Sequence, residues 1–407
     1  MTDAAPPVPQ LQDPARVPGH RFAPAAFWRW IPGGMRRRWW LFRLGDLIVR
    51  HWPVPGRKKG LVVVRMDGIG DMILFRNSLD HYARAFGVDQ ADITVVGCAS
   101  WAPIADHVFD GYRVLALNEH RFAKRPGYRF RQALKVRRLN AAVVVCDQFF
   151  RRAMMADSLV WLSAAPRAVV ALPTINEPTR TEYTWYLSQV SAVVDTGPYP
   201  THEVERHARF VSAVAGQPIA AEPPRISWRD TPPPVPPGDP YVVLNPGSNE
   251  YGRRWPGEGY ADMARRLRAA GYRVVWIGAP GERPGRDVMA GLADDPGVLD
   301  LMGQTTLPQM LDLLNHAAAC LTNDTGPAHV SIALGTPTVV VVGGGHFGSF
   351  VPYPEGVAPP HARFVWEPMD CYHCFWRCPK RAADTDPFPC VAAVPGEKVW
   401  DALNAVL

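Results

Sequence analysis

The sequence predicts an α/β protein built on two parallel sheets, and three observations carry that prediction. Short apolar runs such as Leu61–Arg65 and Tyr241–Asn245 lack the polar alternation of a half-exposed strand, so they read as strands buried on both faces. Helical stretches alternate with them, Met72–Phe86 after the first run and Gly259–Ala270 after the second, and that alternation is the mark of parallel sheets. The pattern breaks once, at residues 222–240, where eight prolines fall among 19 residues. Such a segment is stiff, extended and poor at pairing in a sheet. It reads as a linker between one α/β domain at 58–221 and another at 241–407.

Further strands are expected at Arg273–Ile277, Ala319–Thr322 and Thr338–Val342, with a helix over Met310–Cys320. At 407 residues the chain is long enough for two cores. Its 47% hydrophobic content belongs to a globular class. The net charge of +6 points weakly to anionic partners. Nucleic acid is a poor candidate, because no recognised module is present and basic residues are dispersed outside the N-terminal arm.

Residues 1–57 belong to neither core. Met1–His20 is rich in Pro and Ala, a composition that predicts disorder. Aromatic and basic residues then crowd together in Phe27–Trp30 and Arg36–Arg43. On a helix, Arg36, Arg43 and Arg50 share a face with Asp46, while Trp40, Leu41, Leu44, Leu47 and Ile48 gather on another. This amphipathic pattern suits an anionic membrane surface. The alternative is a helix packed on the N-terminal domain with its arginines solvated. No run reaches the roughly 18 apolar residues of a membrane span, and no signal peptide opens the chain. A cytoplasmic protein, peripheral at the inner membrane, is expected.

Four loops carry the chemistry. Leu321–His329 leads from a strand into a helix that Pro327 is suited to start. Its free N–H groups at Thr325 and Gly326 would face an anion, and a diphosphate fits. Met66–Asp71 follows the first strand and ends in Gly70-Asp71. Pro246–Pro256 follows the strand Tyr241–Asn245 and contains Ser248, Arg253 and Arg254. Gly278–Arg283 follows the strand Arg273–Ile277 and contains Glu282. A carboxylate at Asp71 could act as a general base. It also stands where a helix N-cap belongs, and Asp caps well.

In this order the four segments resemble the ADP-heptose:lipopolysaccharide heptosyltransferases, glycosyltransferase family 9. The resemblance runs from about Leu61 to Tyr353 and weakly to the C-terminus. It implies the GT-B arrangement, two Rossmann-like domains facing across a cleft. It implies an inverting transfer of heptose from ADP-heptose to a lipopolysaccharide core or related anionic glycolipid, with Asp71 as base and Asp67 as the nearby alternative. The donor would be held by the Ser248 turn and by Arg254, which stands where the family carries lysine. Glu282 would take the ribose, Asp324 the sugar, and Thr325 and Gly326 the diphosphate. His329 would face the phosphates or be a buried histidine. Gly343–Gly345 reads as glycines that let a ligand approach the backbone, and His346 departs from the family's Gly-Pro-Thr-like turn. No catalytic metal is expected. The alternatives within this resemblance are another nucleotide sugar, or an inactive homologue that binds a membrane surface.

The seven cysteines divide in two. Cys98, Cys146 and Cys320 lie in apolar surroundings and read as core. Cys371, Cys374, Cys378 and Cys390 have the spacing C-x2-C-x3-C-x11-C, which suits a structural zinc or iron site; the alternative is reduced, unliganded thiols. A dinucleotide-dependent oxidoreductase is disfavoured, because Ile73 stands where the third fingerprint glycine belongs.

Overall fold

The structure is a computed structural model that describes residues 8–16, 34–175, 180–285 and 288–407, with the backbone alone at 16, 34–40 and 180–182. The segment Phe27–Trp30, most of Met1–His20 and the side chains of Arg36–Trp40 lie outside the described residues. The chain divides into two units. One comprises residues 1–68, 77–199 and 204–221, the other residues 69–76, 200–203 and 222–407.

The first unit holds a six-stranded parallel sheet of β1 (Leu61–Arg65), β2 (Ile93–Cys98), β3 (Arg113–Leu117), β4 (Val143–Cys146), β5 (Arg167–Ala171) and β6 (Ala192–Val194). Their order is β3-β2-β1-β4-β5-β6, with Val63 opposite both Val95 and Val145. Branched residues dominate these strands because both faces are covered, and every residue of β1 is buried. Cys98 and Cys146 are core residues as expected.

The second unit repeats the design with β7 (Tyr241–Asn245), β8 (Arg273–Trp276), β9 (Val298–Asp300), β10 (Ala319–Asn323), β11 (Thr338–Val341) and β12 (Ala362–Val365). The order is β12-β11-β10-β7-β8-β9, again all parallel. In each sheet the order reverses beside the first strand. Open α/β sheets bind ligands at the carboxyl ends of the strands flanking such a switch. In the second unit the switch lies between β7 and β10, whose following loops contain Ser248 and Thr325.

Helix limits depart from expectation where local capping decides them. The stretch Met72–Phe86 forms two helices, Ile69–Phe75 and Ser78–Phe86. The helix expected over Met310–Cys320 is Leu307–Asn315, begun by a capping box between Thr306 and Gln309 with Pro308 in the first turn. It ends at Asn315, before β10 begins at Ala319.

The N-terminal helix Gly34–Arg50 forms, but its faces are turned opposite to a solvated basic stripe. Asp46 is buried against Arg129, which donates from Nε at 2.9 Å and from a terminal nitrogen at 2.7 Å. The Arg43 guanidinium lies 4.5 Å from the ring centre of Trp185, and that of Arg50 lies 4.7 Å from Trp161. Stacking on tryptophan and pairing with a buried partner draw this polar face inward. Leu41, Leu44 and Ile48 are left exposed.

Candidate active site

The candidate residues Asp71, Ser248, Arg254, Glu282, Asp324, Thr325, Gly326 and His329 all fall in the second unit. The helix Gly326–Leu334 starts directly from β10 with Pro327 in its first turn. Thr325 is the N-cap residue, yet its side chain does not cap the helix. Its hydroxyl instead donates to the Asn323 carbonyl at 3.3 Å and accepts from the Asn245 amide at 3.2 Å. The Asp324 N–H bonds Val341 O and the Ala328 N–H bonds Thr325 O. Among the described residues, the amides of Thr325 and Gly326 have no acceptor. A helix N-terminus left this way attracts an anion through its dipole and its free donors.

The loop beneath is fixed by asparagines at the ends of both switch-point strands. Asn245 of β7 donates to Thr322 Oγ1 at 2.9 Å. Asn323 of β10 donates to the Pro246 carbonyl at 2.8 Å and accepts from the Trp255 N–H at 3.0 Å. Ser248 follows in that turn, 3% exposed, and its hydroxyl has no partner among the described residues. A buried hydroxyl without a partner is costly unless something else supplies one.

Asp71 sits in the first turn of the helix Ile69–Phe75. That turn packs against the start of the helix Gly326–Leu334. A Cβ on Gly70 would lie 2.7 Å from the His329 ring and 3.5 Å from Gly326 Cα, so only glycine permits this approach. Two helix starts are thereby placed together, one carrying Asp71 and the other the open amides. Asp67 is placed differently: in the first unit its carboxylate forms an ion pair with the buried Arg65.

His329 is buried, stacks on Tyr353 with ring centres 5.9 Å apart, and shares a 2.9 Å hydrogen bond with the Tyr353 hydroxyl through Nδ1. Burial lowers its pKa, opposed by the charges of Asp324 and Asp71. It is neutral near pH 7, so the cations of the site are arginines. Arg253 pairs with the Asp324 carboxylate at 2.9 Å and donates to the Asp324 carbonyl, with its guanidinium 4.8 Å from the Trp376 ring. The sequence treats Arg253 only as a neighbour of Arg254, and no spacing signal marks its role. Arg254 donates to the Ser248 carbonyl at 2.8 Å and the Gly281 carbonyl at 3.2 Å, tying these two loops together. Glu282 accepts from the Ala279 N–H at 2.8 Å and lies 3.9 Å from Arg254. Gly247 lets Glu282 come this close, since a Cβ there would meet its carboxylate at 2.1 Å.

Gly343–Gly345 serves a different purpose from the expected ligand approach. A Cβ on Gly344 would strike Tyr372 at 2.3 Å, and one on Gly345 would strike Trp376 at 2.1 Å. The glycines admit the cysteine segment, whose His373 and Phe375 amides bond the Gly344 and Gly345 carbonyls at 2.7 and 3.0 Å. His346 packs edge-on to Phe375 with centres 5.0 Å apart, and burial brings its pKa down to about 4.

Among the described residues, no three His, Cys, Asp or Glu side chains are arranged to hold a metal ion. Cys371, Cys374 and Cys378 are partly exposed and Cys390 is buried, all as free thiols. They are gathered without converging: burial raises the Cys390 pKa first, and the other three thiols add to it.

Comparison with known proteins gives the family and the fold. Residues 175–377 match the model of glycosyltransferase family 9 (heptosyltransferase). Lipopolysaccharide heptosyltransferase 2 of Escherichia coli K12 is 36% identical over 109 residues, which is 26% of this chain and 31% of that protein. The chain thus spans about a third of the length of the curated relatives it matches. Among solved structures, E. coli ADP-heptose lipopolysaccharide heptosyltransferase II superposes with a TM-score of 0.62 at 18% identity, covering 85% of this chain and 98% of the other. E. coli heptosyltransferase WaaC with ADP-2-deoxy-2-fluoro heptose gives 0.61 at 17% identity, covering 84% and 98%. These likenesses give the fold, which is of the GT-B class. Through residues 175–377 and the two six-stranded sheets, the chain belongs to glycosyltransferase family 9.

Proposed function

We propose that this protein is an inverting glycosyltransferase that moves heptose from ADP-heptose to a hydroxyl of a lipopolysaccharide core or related surface glycan, working at the cytoplasmic face of the inner membrane. The observation that carries the reading is the uncapped helix start at Thr325–Gly326 with the Asp71 turn laid against it. Open amides suit the diphosphate, whose charge grows as the glycosidic bond breaks, and donors fixed in advance are a large catalytic effect there. The Asp71 carboxylate takes the proton from the acceptor hydroxyl. The oxygen bonds the anomeric carbon as the bond to the diphosphate breaks, and ADP leaves with the electron pair. Ser248 offers a further donor, Arg254 a cation, and Glu282 and Asp324 acceptors for the ribose and sugar hydroxyls. This step uses no metal.

The test is a panel of nucleotides and nucleotide sugars read by thermal shift. ADP and ADP-heptose should stabilise the chain and the UDP and GDP counterparts should not. Stabilisation by UDP-hexoses alone would leave the fold and overturn the heptose assignment. Turnover absent despite ADP binding would identify an inactive homologue.

The four clustered cysteines support a separate, structural reading. Cys390 accepts an N–H bond from Gly344 at 3.3 Å, the kind of bond that a metal-bound thiolate takes. Closure of Cys371, Cys374, Cys378 and Cys390 on one zinc or iron would pin this segment over Gly343–Gly345. Elemental analysis of the purified chain should find about one such metal per molecule, lost in Cys374→Ser.

A further inference from the structure

The helix Gly34–Arg50 packs a mixed face of apolar and charged residues inward and leaves an apolar stripe outward. Phe42, Asp46 and Val49 are 4%, 5% and 0% exposed, and Arg43 and Arg50 lie against Trp161 and Trp185. The opposite side carries Leu41 at 65% exposure, Leu44 at 72% and Ile48 at 46%, and just beyond the helix Trp52 follows at 36%. The spacing of three and four residues puts Leu41, Leu44 and Ile48 on a single stripe, and Trp52 follows just past the helix end. From Leu41 to Ile48 it runs roughly 10 Å along the axis. Water is the wrong solvent for this face. Nothing forces it outward by default, since the alternative rotation would expose three charges and bury the leucines. The buried Asp46–Arg129 pair and the stacked arginines hold the helix in this orientation.

We propose that Leu41, Leu44, Ile48 and Trp52 form a membrane-docking face that seats the protein on an anionic phospholipid surface, with the helix lying in the plane of the interface. This deepens the proposed function and rests on its reading of a membrane-borne acceptor. Charge decides the occupant. Arg36, Arg37 and Arg38 precede the stripe in the sequence, and the exposed Arg57 follows it, whereas Lys59 is paired with Asp92 at 3.2 Å. The acidic residue of the helix, Asp46, is already neutralised by Arg129. A leucine stripe ending in tryptophan and flanked by basic residues matches the anionic headgroup boundary. Four side chains are too few for a second copy of the chain, because a stable protein interface engages roughly 20–30 residues a side.

The test is flotation of the full chain with vesicles of phosphatidylglycerol and phosphatidylethanolamine, beside vesicles of phosphatidylcholine. The comparison is with the triple variant Leu41→Ser, Leu44→Ser, Ile48→Ser. These side chains are exposed, so the variant should melt with the wild type and bind ADP equally. Wild type should float with the anionic vesicles and less with phosphatidylcholine, and the variant should bind them at least about tenfold more weakly. Three results overturn the proposal: no flotation of the wild type at low salt, equal binding to phosphatidylcholine, or flotation unchanged in the variant. A wild-type dimer that the triple substitution dissolves would assign the face to a second copy instead. The vesicles contain no glycosyl acceptor and no nucleotide. Loss of ADP binding with flotation intact would therefore count against the transferase reading and not against this one.

Discussion

At the scale of single residues, the sequence offers two carboxylates after β1, and packing separates them. Asp67 is committed to Arg65, whereas Asp71 heads a helix placed against the open amides of Thr325 and Gly326 by Gly70. That role of Gly70 is invisible in a linear reading, because the His329 ring it accommodates lies more than 250 residues away in the chain. Gly70→Ala should force the two helix starts apart and weaken ADP binding by about tenfold or more, as a close-packed contact does not yield freely. Calorimetric titration of ADP checks this, and unchanged affinity would separate the two helix starts from nucleotide binding.

The first unit carries a second residue-scale feature that spacing does not announce. Asp147 is fully buried and accepts hydrogen bonds from Arg65 at 2.7 Å, Tyr82 at 2.9 Å and His207 at 2.9 Å. Burial alone would raise its pKa, but Arg65 and His207 hold it well below the usual carboxylate range. A depressed carboxylate stabilises the fold above its unfolded pKa of about 4, and that contribution is lost as pH falls through the folded value. Asp147→Asn should cost about 3–5 kcal/mol at neutral pH and flatten the loss of stability below about pH 4. Denaturant melts across pH measure both, and an unchanged acid limb would contradict the role.

At the scale of elements, runs of branched residues made the strands legible, since a strand buried on both faces has few other compositions. Helix limits were less so, because Thr306–Gln309 and the break after Phe75 are local events inside a broader periodic pattern. The helix Gly34–Arg50 shows a deeper reason. Periodicity divides a helix into two faces but does not say which one packs, and here stacking on Trp161 and Trp185 drew the arginines inward. Gly343–Gly345 carries the same lesson, for the occupant above those glycines is protein. Gly345→Ala should displace Trp376, cost about 1–3 kcal/mol, and speed alkylation of Cys374 and Cys378 by a thiol reagent. Unaltered alkylation would show that the segment does not depend on this contact.

At the scale of the whole molecule, both units follow one plan, a parallel sheet whose order reverses beside its first strand. The alternation of strands and helices predicts the parallel sheets, while the strand order comes only from the folded chain. The site follows from it, because the loops after β7 and β10 meet at the switch point of the second sheet, where Asn245 and Asn323 brace them. The roles expected of Ser248, Arg254 and Glu282 were implied by the family resemblance, while the ties that hold these residues, Arg254 to the Ser248 and Gly281 carbonyls, come only from the folded chain. The central claim is that this site binds the donor diphosphate and that Asp71 acts on the acceptor. The most direct measurement compares wild type with Asp71→Asn for ADP binding and for ADP release from ADP-heptose with a core-lipid acceptor. The account predicts equal ADP affinity and turnover reduced by about 10²–10⁴ in the variant. Turnover unchanged in the variant would contradict it, and so would turnover lost together with ADP binding.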